Sequence, residues 1–178
     1  EMQSGFARTG KKFAFEHYNF TPDIICCGKG MGSGMPLSGV ITSGRIMDIP
    51  GGNLQSTHSA NPLSCAAGIA VIDEIKNKKL VSKSRIHGDY FLKGLKKLQN
   101  DFPDIIGYAL GKGLVLALIM KKYKNLSPTA VADFICHECY KNNILLVNTG
   151  RESIYVVRYY SSMSNVFYFH VFFLFFPK

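Results

Sequence analysis

A glycine-dense segment that follows a short apolar run is the feature of this 178-residue sequence that most restricts its fold. The apolar run is residues 24–27 (IICC), and the glycines alternate with other residues through positions 28–34 (GKGMGSG). A short apolar run bounded by turn residues predicts a buried strand, and closely spaced glycines permit a sharp change of chain direction after it. The sequence therefore predicts a buried strand that ends in a tight turn.

Strand and helix patterns follow one another along the next part of the chain. Residues 37–42 predict a second strand. Asn61 followed by Pro62 predicts the start of a small-residue helix over residues 63–72, packed closely on a neighbour. Residues 80–102 carry apolar side chains at steps of three and four, with lysines on the opposite face, which predicts a long amphipathic helix.

The same alternation continues to residue 147. Residues 105–109 and 114–120 flank glycines at 111 and 113 and predict a hairpin, and Ser127-Pro128 predicts a helix that runs to Tyr140. Residues 144–147 predict a last strand. Alternating strands and helices indicate the α/β class, with a domain boundary near residues 76–80.

Composition excludes several classes of protein. With 47% hydrophobic residues the chain can bury a core, which excludes wholesale disorder. The formal net charge of +9 comes from scattered lysines and arginines, without an aromatic-interleaved basic stripe. We therefore expect no nucleic-acid and no membrane partner. The charge suits small anionic molecules, or it belongs to a solvated surface.

The five cysteines indicate a reducing compartment. Their number is odd and the N-terminal residues lack the pattern of a secretory leader, so we expect a cytoplasmic location. Cys136 and Cys139 form a single C-x-x-C motif, which can begin a zinc site. A second ligand pair at finger-like spacing is missing and the segment has a helical pattern, so we expect no metal.

The final segment, residues 155–178, departs from the α/β pattern. It contains ten of the 22 aromatic residues of the chain. The apolar run at 166–176 has 11 residues, whereas a membrane-spanning helix needs about 20. We expect an aberrant, aggregation-prone tail, and we hypothesise that it is translated from a wrong frame or an intron.

Lys29 is the first candidate for chemistry. It follows the strand predicted at residues 24–27 and has a glycine on each side. Ligands of open α/β sheets bind at the carboxyl ends of strands, and a lysine amine there can form a Schiff base with a carbonyl group. The alternative is an ordinary exposed loop lysine, and position alone does not separate the two.

Three motifs stand in order along the chain: residues 1–11 (EMQSGFARTGK), 22–37 (PDIICCGKGMGSGMPL) and 56–67 (STHSANPLSCAA). All three resemble motifs of the class III aminotransferases, which depend on pyridoxal phosphate. Residues 111–114 and 148–154 are also similar to the family. The resemblance covers residues 1 to about 154.

The resemblance implies a fold and an activity. We expect the fold type I of pyridoxal-phosphate-dependent transferases, with part of the large cofactor domain at residues 1–76, the small C-terminal α/β domain at 77–154 and the tail at 155–178. The implied reaction moves an amino group from an amine or ω-amino acid to a 2-oxo acid. The sequences of residues 56–63 and 148–154 are most similar to those of 4-aminobutyrate aminotransferases. Acetylornithine or ornithine aminotransferase and a pyridoxal-phosphate-dependent amino-acid racemase are the alternatives.

The resemblance also assigns roles to four residues. Lys29 would hold pyridoxal phosphate as a Schiff base and then move a proton between substrate and cofactor. Gln3 would hydrogen-bond the phenolic oxygen of the ring; otherwise it is a surface amide. Thr57 would bind the phosphate from the partner subunit of a homodimer, with Ser56 a weaker candidate beside it; otherwise Thr57 is a cap before a helix.

Parts of the family pattern fall outside the sequence or cannot be aligned. The aspartate that pairs with the pyridinium nitrogen precedes the position of Glu1, and the phosphate-binding glycine-rich turn and the ring-stacking aromatic lie further upstream. An arginine for the substrate carboxylate is not assigned, because Arg158 cannot be aligned. We therefore expect a C-terminal fragment of the enzyme that is inactive by itself.

Overall fold

The computed structural model describes residues 1–54, 56–148 and 153–156. The chain divides into two compact units, Glu1–Ile86 and His87–Lys178, the second of which is described as far as Val156. Each unit combines helices with strands, as the α/β pattern of the sequence predicts, and the described strands pair antiparallel.

The first unit carries the three sequence motifs on short elements joined by turns. Its elements, in order, are a 3-10 helix Ala14–His17, strand β1 (Ile24–Cys27), a 3-10 turn Lys29–Met31, strand β2 (Gly39–Thr42), helix α1 (Gly44–Met47), a 3-10 turn Gly51–Leu54, helix α2 (Pro62–Asn77) and the beginning of helix α3 (Leu80–Asp101).

Strands β1 and β2 form a two-stranded antiparallel sheet in which Ile24 pairs with Thr42 and Cys27 with Gly39. Both predicted strands are confirmed, but the predicted burial of β1 is wrong. Cys27 is buried, whereas the Ile24 side chain is 51% exposed and Cys26 is exposed. Within the described residues β1 pairs with β2 alone, and of its other side chains Ile25 is half-buried.

Helix α2 begins where the sequence predicts. The Oδ1 atom of Asn61 accepts hydrogen bonds from the backbone N–H groups of Leu63 (3.0 Å) and Ser64 (3.3 Å), which satisfies two of the donors that a helix leaves free at its N-terminus. Gly68 is buried, and a methyl group added there would lie 2.7 Å from Cδ2 of Leu37. The predicted close packing of this small-residue helix is therefore seen at Gly68, whereas Leu63 and Ile69 are exposed.

The second unit is a four-stranded antiparallel sheet with helices packed on it. After α3 come strands β3 (Ile106–Lys112) and β4 (Val115–Met120), helix α4 (Pro128–Lys141) and strands β5 (Val147–Asn148) and β6 (Ser153–Val156), in the sheet order β3-β4-β6-β5. The core joins apolar residues from both helices and the hairpin, including Leu95, Leu98, Leu116, Leu118, Val131 and Ile135.

The predicted helices and hairpin of this unit are confirmed. Gly113, in the turn of the hairpin, has a φ of +54°, and Gly111, near the end of β3, has a φ of +140°; glycine adopts both backbone conformations without steric cost. Ser127 caps α4 by accepting a hydrogen bond on Oγ from the N–H of Ala130 at 3.2 Å. The helix ends before Asn143, which has a φ of +60°.

The end of the described chain differs from the prediction. The strand predicted at 144–147 begins only at Val147, because the N–H of Ile144 donates to the carbonyl of Cys139 (2.9 Å) and is held against the helix end. Strand β6 was not predicted, and it includes Tyr155 and Val156, the first residues of the expected tail. The rest of that tail (157–178, with Arg158) and residues 149–152 of the last motif lie outside the described residues.

The domain boundary expected at residues 76–77 stays a prediction. It coincides with the end of α2 at Asn77, whereas the division into compact units falls inside α3. In the part of the chain that the structure describes, no helix is both long and apolar enough to cross a membrane.

Candidate active site

Lys29 begins the tight turn that follows β1. The N–H of Met31 donates to the carbonyl of Gly28 at 3.0 Å, and that of Ser33 donates to the carbonyl of Lys29 at 3.2 Å. Lys29 itself adopts a left-handed backbone conformation with a φ of +45°, which is uncommon for a residue with a side chain. The predicted turn is confirmed, and it holds the lysine side chain exposed to solvent.

The structure brings Lys29 and Gln3 together. The Nζ atom of Lys29 donates a hydrogen bond to Oε1 of Gln3 at 3.2 Å, although 26 positions separate the two residues. Both side chains are exposed. The first and second sequence motifs therefore contribute one polar group each to the same place.

The turn that carries Gln3 also contacts the glycines beside the lysine. A methyl group added at Gly28 would lie 2.7 Å from Sδ of Met2, and one added at Gly30 would lie 3.6 Å from Cβ of Phe6. The segment from Met2 to Phe6 is thus packed along Gly28, Lys29 and Gly30. This packing, together with the hydrogen bond of Gln3, fixes the position of the turn beside the lysine.

Glu1 holds the other side of the turn that carries Gln3. The sequence motifs assign no role to this residue. Glu1 accepts hydrogen bonds on Oε2 from the Ser4 hydroxyl (2.7 Å) and the Ala14 N–H (3.0 Å), and on Oε1 from the Phe15 N–H (3.0 Å). Burial opposes ionisation of Glu1, but these donors outweigh it and hold the pKa of the carboxyl below its ordinary value. No local sequence signal predicts this contact, because the amide donors are 13 and 14 positions away.

The second nucleophilic side chain near the turn is the thiol of Cys27. It is buried with 1% exposure, and this burial raises the pKa of the thiol, as does the charge of Glu1. A thiol that keeps its proton is a weak nucleophile. The exposed amine of Lys29, two residues further on, is the better placed of the two for attack on a carbonyl group.

Ser56 and Thr57 lie in a separate turn that precedes α2. Both side chains are exposed, and the turn is closed by the Ser59 hydroxyl and N–H, which donate to the carbonyl of Ser56 at 2.7 and 3.0 Å. Among the contacts of the described residues, none joins this pair to Lys29 or Gln3. His58, to which we assign no role, is exposed in the same turn.

The side chains that the structure brings together fit an aldehyde cofactor with a phenolic oxygen. A primary amine can react with the aldehyde. The Gln3 amide accepts a hydrogen bond from Lys29 Nζ on Oε1, and its Nε2 still has two N–H groups that can donate to a phenolic oxygen. The donor set of this site therefore suits pyridoxal phosphate, as the resemblance implies.

The C-x-x-C motif lies on α4, where Cys139 is buried and Cys136 is half-buried. Burial, with the neighbouring Cys136 and Glu138, raises the pKa of the Cys139 thiol to about 11. A search of the described residues finds no group of three or more His, Cys, Asp or Glu side chains arranged to hold a metal ion.

Comparison with known proteins relates the whole described chain to one family. Residues 1–165 match the family described as aminotransferase class-III. The chain is 32% identical to an acetylornithine aminotransferase of Prochlorococcus marinus (86% of this chain, 36% of that protein). It is 37% identical to an alanine/serine racemase of Pyrococcus horikoshii (84% of this chain, 31% of that protein).

A solved structure supports the expected fold. The acetylornithine aminotransferase of Elizabethkingia anophelis superposes with a TM-score of 0.79 at 34% identity, covering 88% of this chain and 39% of that one. The expected fold type I is confirmed by this likeness. The chain spans about a third of the length of the relatives that it matches. On the evidence of its motifs, its fold and its match over residues 1–165, the chain belongs to the class III aminotransferases.

Proposed function

We propose that Lys29 is the catalytic lysine of a pyridoxal-phosphate-dependent transamination. The observation that carries the proposal is the hydrogen bond from Lys29 Nζ to Gln3 Oε1, at 3.2 Å. It joins two side chains to which the family resemblance gives adjacent roles. Class III aminotransferases depend on pyridoxal phosphate. When bound, this cofactor supplies an aldehyde for a Schiff base and a ring that withdraws electrons from the substrate carbon.

The amine of Lys29 has two tasks in this proposal. It would provide the bond to the cofactor, and Nζ would take a proton from the substrate and return it. The turn that begins at Lys29 fixes the backbone from which the lysine side chain extends. The side chain is exposed, so its amine is accessible. Gln3 orients the amine through Oε1 and donates from Nε2 to the phenolic oxygen.

Ser56 and Thr57 complete the cofactor site in this proposal by donating hydroxyl groups to the phosphate. Both are exposed in the turn before α2, which suits residues that act on a neighbouring subunit. We therefore also propose a homodimer, in which Thr57 serves the site of the partner. Sedimentation of the protein at several concentrations tests the dimer, and a monomer at all of them would contradict it.

We propose an amine or ω-amino acid as the amino donor and a 2-oxo acid as the acceptor. The resemblance of residues 56–63 to 4-aminobutyrate aminotransferases supports 4-aminobutyrate as the donor. The similarity to acetylornithine aminotransferases supports N-acetylornithine or ornithine equally. A cytoplasmic location also stays a proposal, supported by the odd number of cysteines.

A second candidate reaction is racemisation of an amino acid. The 37% identity to an alanine/serine racemase favours it specifically. The same lysine would then move a proton on the substrate carbon without any transfer of the amino group. A racemase interconverts L- and D-alanine with no 2-oxo acid present, whereas a transaminase requires the acceptor.

Trapping the cofactor on the protein tests the proposal. The protein is incubated with pyridoxal phosphate, reduced with borohydride and digested, and the modified lysine is identified by mass spectrometry. We expect the adduct on Lys29, its loss in Lys29→Arg, which keeps the charge, and no change in Lys11→Ala, which removes another exposed lysine. An adduct spread over many lysines would overturn the proposal.

Turnover assays with each donor and a 2-oxo acid then separate the reactions. Product with 4-aminobutyrate, N-acetylornithine or ornithine identifies the transaminase, and racemised alanine identifies the alternative. An adduct on Lys29 without turnover would support the cofactor site and separate cofactor binding from catalysis.

A further inference from the structure

The carboxylate of Glu1 connects two segments that local sequence does not join. Its two oxygens accept the N–H groups of Ala14 and Phe15, at 3.0 Å each, at the start of the 3-10 helix Ala14–His17. The Ser4 hydroxyl donates to the same carboxylate at 2.7 Å, and the Gly5 N–H donates to the Glu1 carbonyl at 3.2 Å. Glu1 therefore closes its own turn and fastens that turn to the 3-10 helix.

Gln3 lies inside the turn that Glu1 closes. It is bracketed by Glu1 and Ser4, whose side chains bond each other, so its backbone is fixed on both sides. The side chain of Gln3 leaves this turn toward the Lys29 amine. Because the Gln3 amide reaches Lys29 only from this fixed backbone, the position of Glu1 determines the position of the amide.

Aromatic packing supports the same attachment. The rings of Phe6, from the turn, and Phe13, from the residue before the 3-10 helix, meet edge to face with centroids 5.7 Å apart. Space around Gly5 is also restricted, since an added methyl group would lie 2.9 Å from the Glu1 carbonyl oxygen. The turn is thus held by apolar contact as well as by the carboxylate, so removing the charge need not unfold it.

We infer that Glu1 is a positioning residue, whose carboxylate sets the Gln3 amide against the Lys29 amine. The inference rests on the proposed function for its biological meaning, since Lys29 and Gln3 are the residues assigned to the cofactor. The structural effect does not depend on that function, because loss of the Glu1 carboxylate weakens the hydrogen bond between Lys29 and Gln3 whether or not a cofactor binds.

The same 3-10 helix supplies a matched control. Glu16 accepts the N–H of Phe13 on Oε1 at 2.8 Å, so it is also a carboxylate on a backbone N–H at this helix. Glu16 makes this bond within the helix region and does not bridge to the Gln3 turn. Glu16→Gln therefore removes a comparable charge and cap without touching the proposed connection.

Competitive acetylation of lysines measures the environment of the amine without any cofactor. The protein is treated with a trace of acetic anhydride across a pH series, and modification of Lys29 relative to the exposed Lys11 is quantified by mass spectrometry. We expect Glu1→Gln and Gln3→Ala each to change this ratio by about threefold, since the first weakens and the second removes the exposed hydrogen bond between Lys29 and Gln3. Glu16→Gln should leave the ratio unchanged. Glu1→Asp keeps the charge and should therefore change the ratio less than Glu1→Gln does.

The double variant distinguishes positioning from general loss of structure. If Glu1 acts through Gln3, then Glu1→Gln adds nothing to Gln3→Ala, and the effects are not additive. Faster amide exchange of Ala14 and Phe15 in Glu1→Gln confirms that the carboxylate contact is lost. Effects that multiply, or an equal change in Glu16→Gln, would overturn the inference. A wild-type protein that forms no cofactor adduct on Lys29 would instead overturn the proposed function and leave these ratios as they are.

Discussion

The Nζ atom of Lys29 lies 3.2 Å from Oε1 of Gln3, although 26 positions separate the two residues in the sequence. The lysine belongs to the turn after β1, and the glutamine belongs to a turn fastened by Glu1 to the 3-10 helix Ala14–His17. Neither turn has an extensive core of its own. The pair therefore depends on a small number of hydrogen bonds and close contacts, each of which can be altered separately.

Replacing Gln3 by Glu should slow the reaction of Lys29 with pyridoxal phosphate. A carboxylate at the distance of Oε1 stabilises the protonated, non-nucleophilic form of the amine. We expect about a threefold slower rise of imine absorbance at neutral pH, with the pH profile moved to higher pH, because an exposed ion pair contributes less than about 1 kcal/mol. Gln3→Ala, which removes the hydrogen bond without adding charge, should not move the profile in that direction. An unchanged profile in Gln3→Glu would contradict the contact between the two side chains.

Two glycines of the lysine turn should respond differently to alanine. A methyl group at Gly32 would lie 2.1 Å from the Met35 carbonyl oxygen, so the backbone must shift. A methyl group at Gly30 meets only Cβ of Phe6, at the ordinary distance of 3.6 Å. We expect Gly32→Ala to lower the free energy of unfolding by about 1–3 kcal/mol and Gly30→Ala to change it little. Urea denaturation of both variants measures this, and equal effects would argue against the described turn.

Gln99 of α3 should be required for the register of β3. Its Nε2 donates to the Gly107 carbonyl (3.1 Å), within the irregular pairing between Ile106 and Tyr108, and its Oε1 accepts the Ala109 N–H (2.8 Å) just beyond it. Gln99→Ala leaves both backbone groups unpaired, and we expect a loss of about 1–3 kcal/mol of unfolding free energy. The exposed neighbour provides the control, since Asn100→Ala should be neutral. Thermal denaturation compares the two.

Stability should decrease at alkaline pH because of Cys139. Burial is the main reason that the pKa of this thiol is about 11, against 9.0 ordinarily. The folded protein holds the proton more tightly than the unfolded chain. The contribution, up to about 2 kcal/mol, is therefore complete below pH 9 and is lost as pH rises toward 11. Unfolding measured at pH 8 and pH 11 should show a smaller pH dependence in Cys139→Ala, and an unaltered one in Cys26→Ala, which removes an exposed thiol.

Local signals in the sequence predicted much of the fold. The caps at Asn61 and Ser127 and the glycine turn of the hairpin act within a few residues, and the structure confirms all three. The exposure of β1 and the late start of β5 were not predicted. These features depend on which strands are present as neighbours and on the bond from Ile144 to the end of α4.

The candidate site was predicted unevenly for a related reason. The proximity of Lys29 and Gln3 followed from the family resemblance, since spacing alone does not bring residues 26 positions apart into contact. Glu1 was overlooked because its role is a bridge to Ala14 and Phe15 that no short motif encodes. The roles given to Ser56 and Thr57 remain predictions, because they concern a partner subunit and a bound phosphate.

The left-handed backbone at Lys29 means that the fold alone would favour a different residue there. Glycine or asparagine adopts this conformation more easily, and a longer side chain costs about 1 kcal/mol. Lys29→Asn should therefore raise the free energy of unfolding and abolish Schiff-base formation at this position. The turn by itself therefore does not require the amine, and the lysine is kept there at a conformational cost that its chemistry would explain.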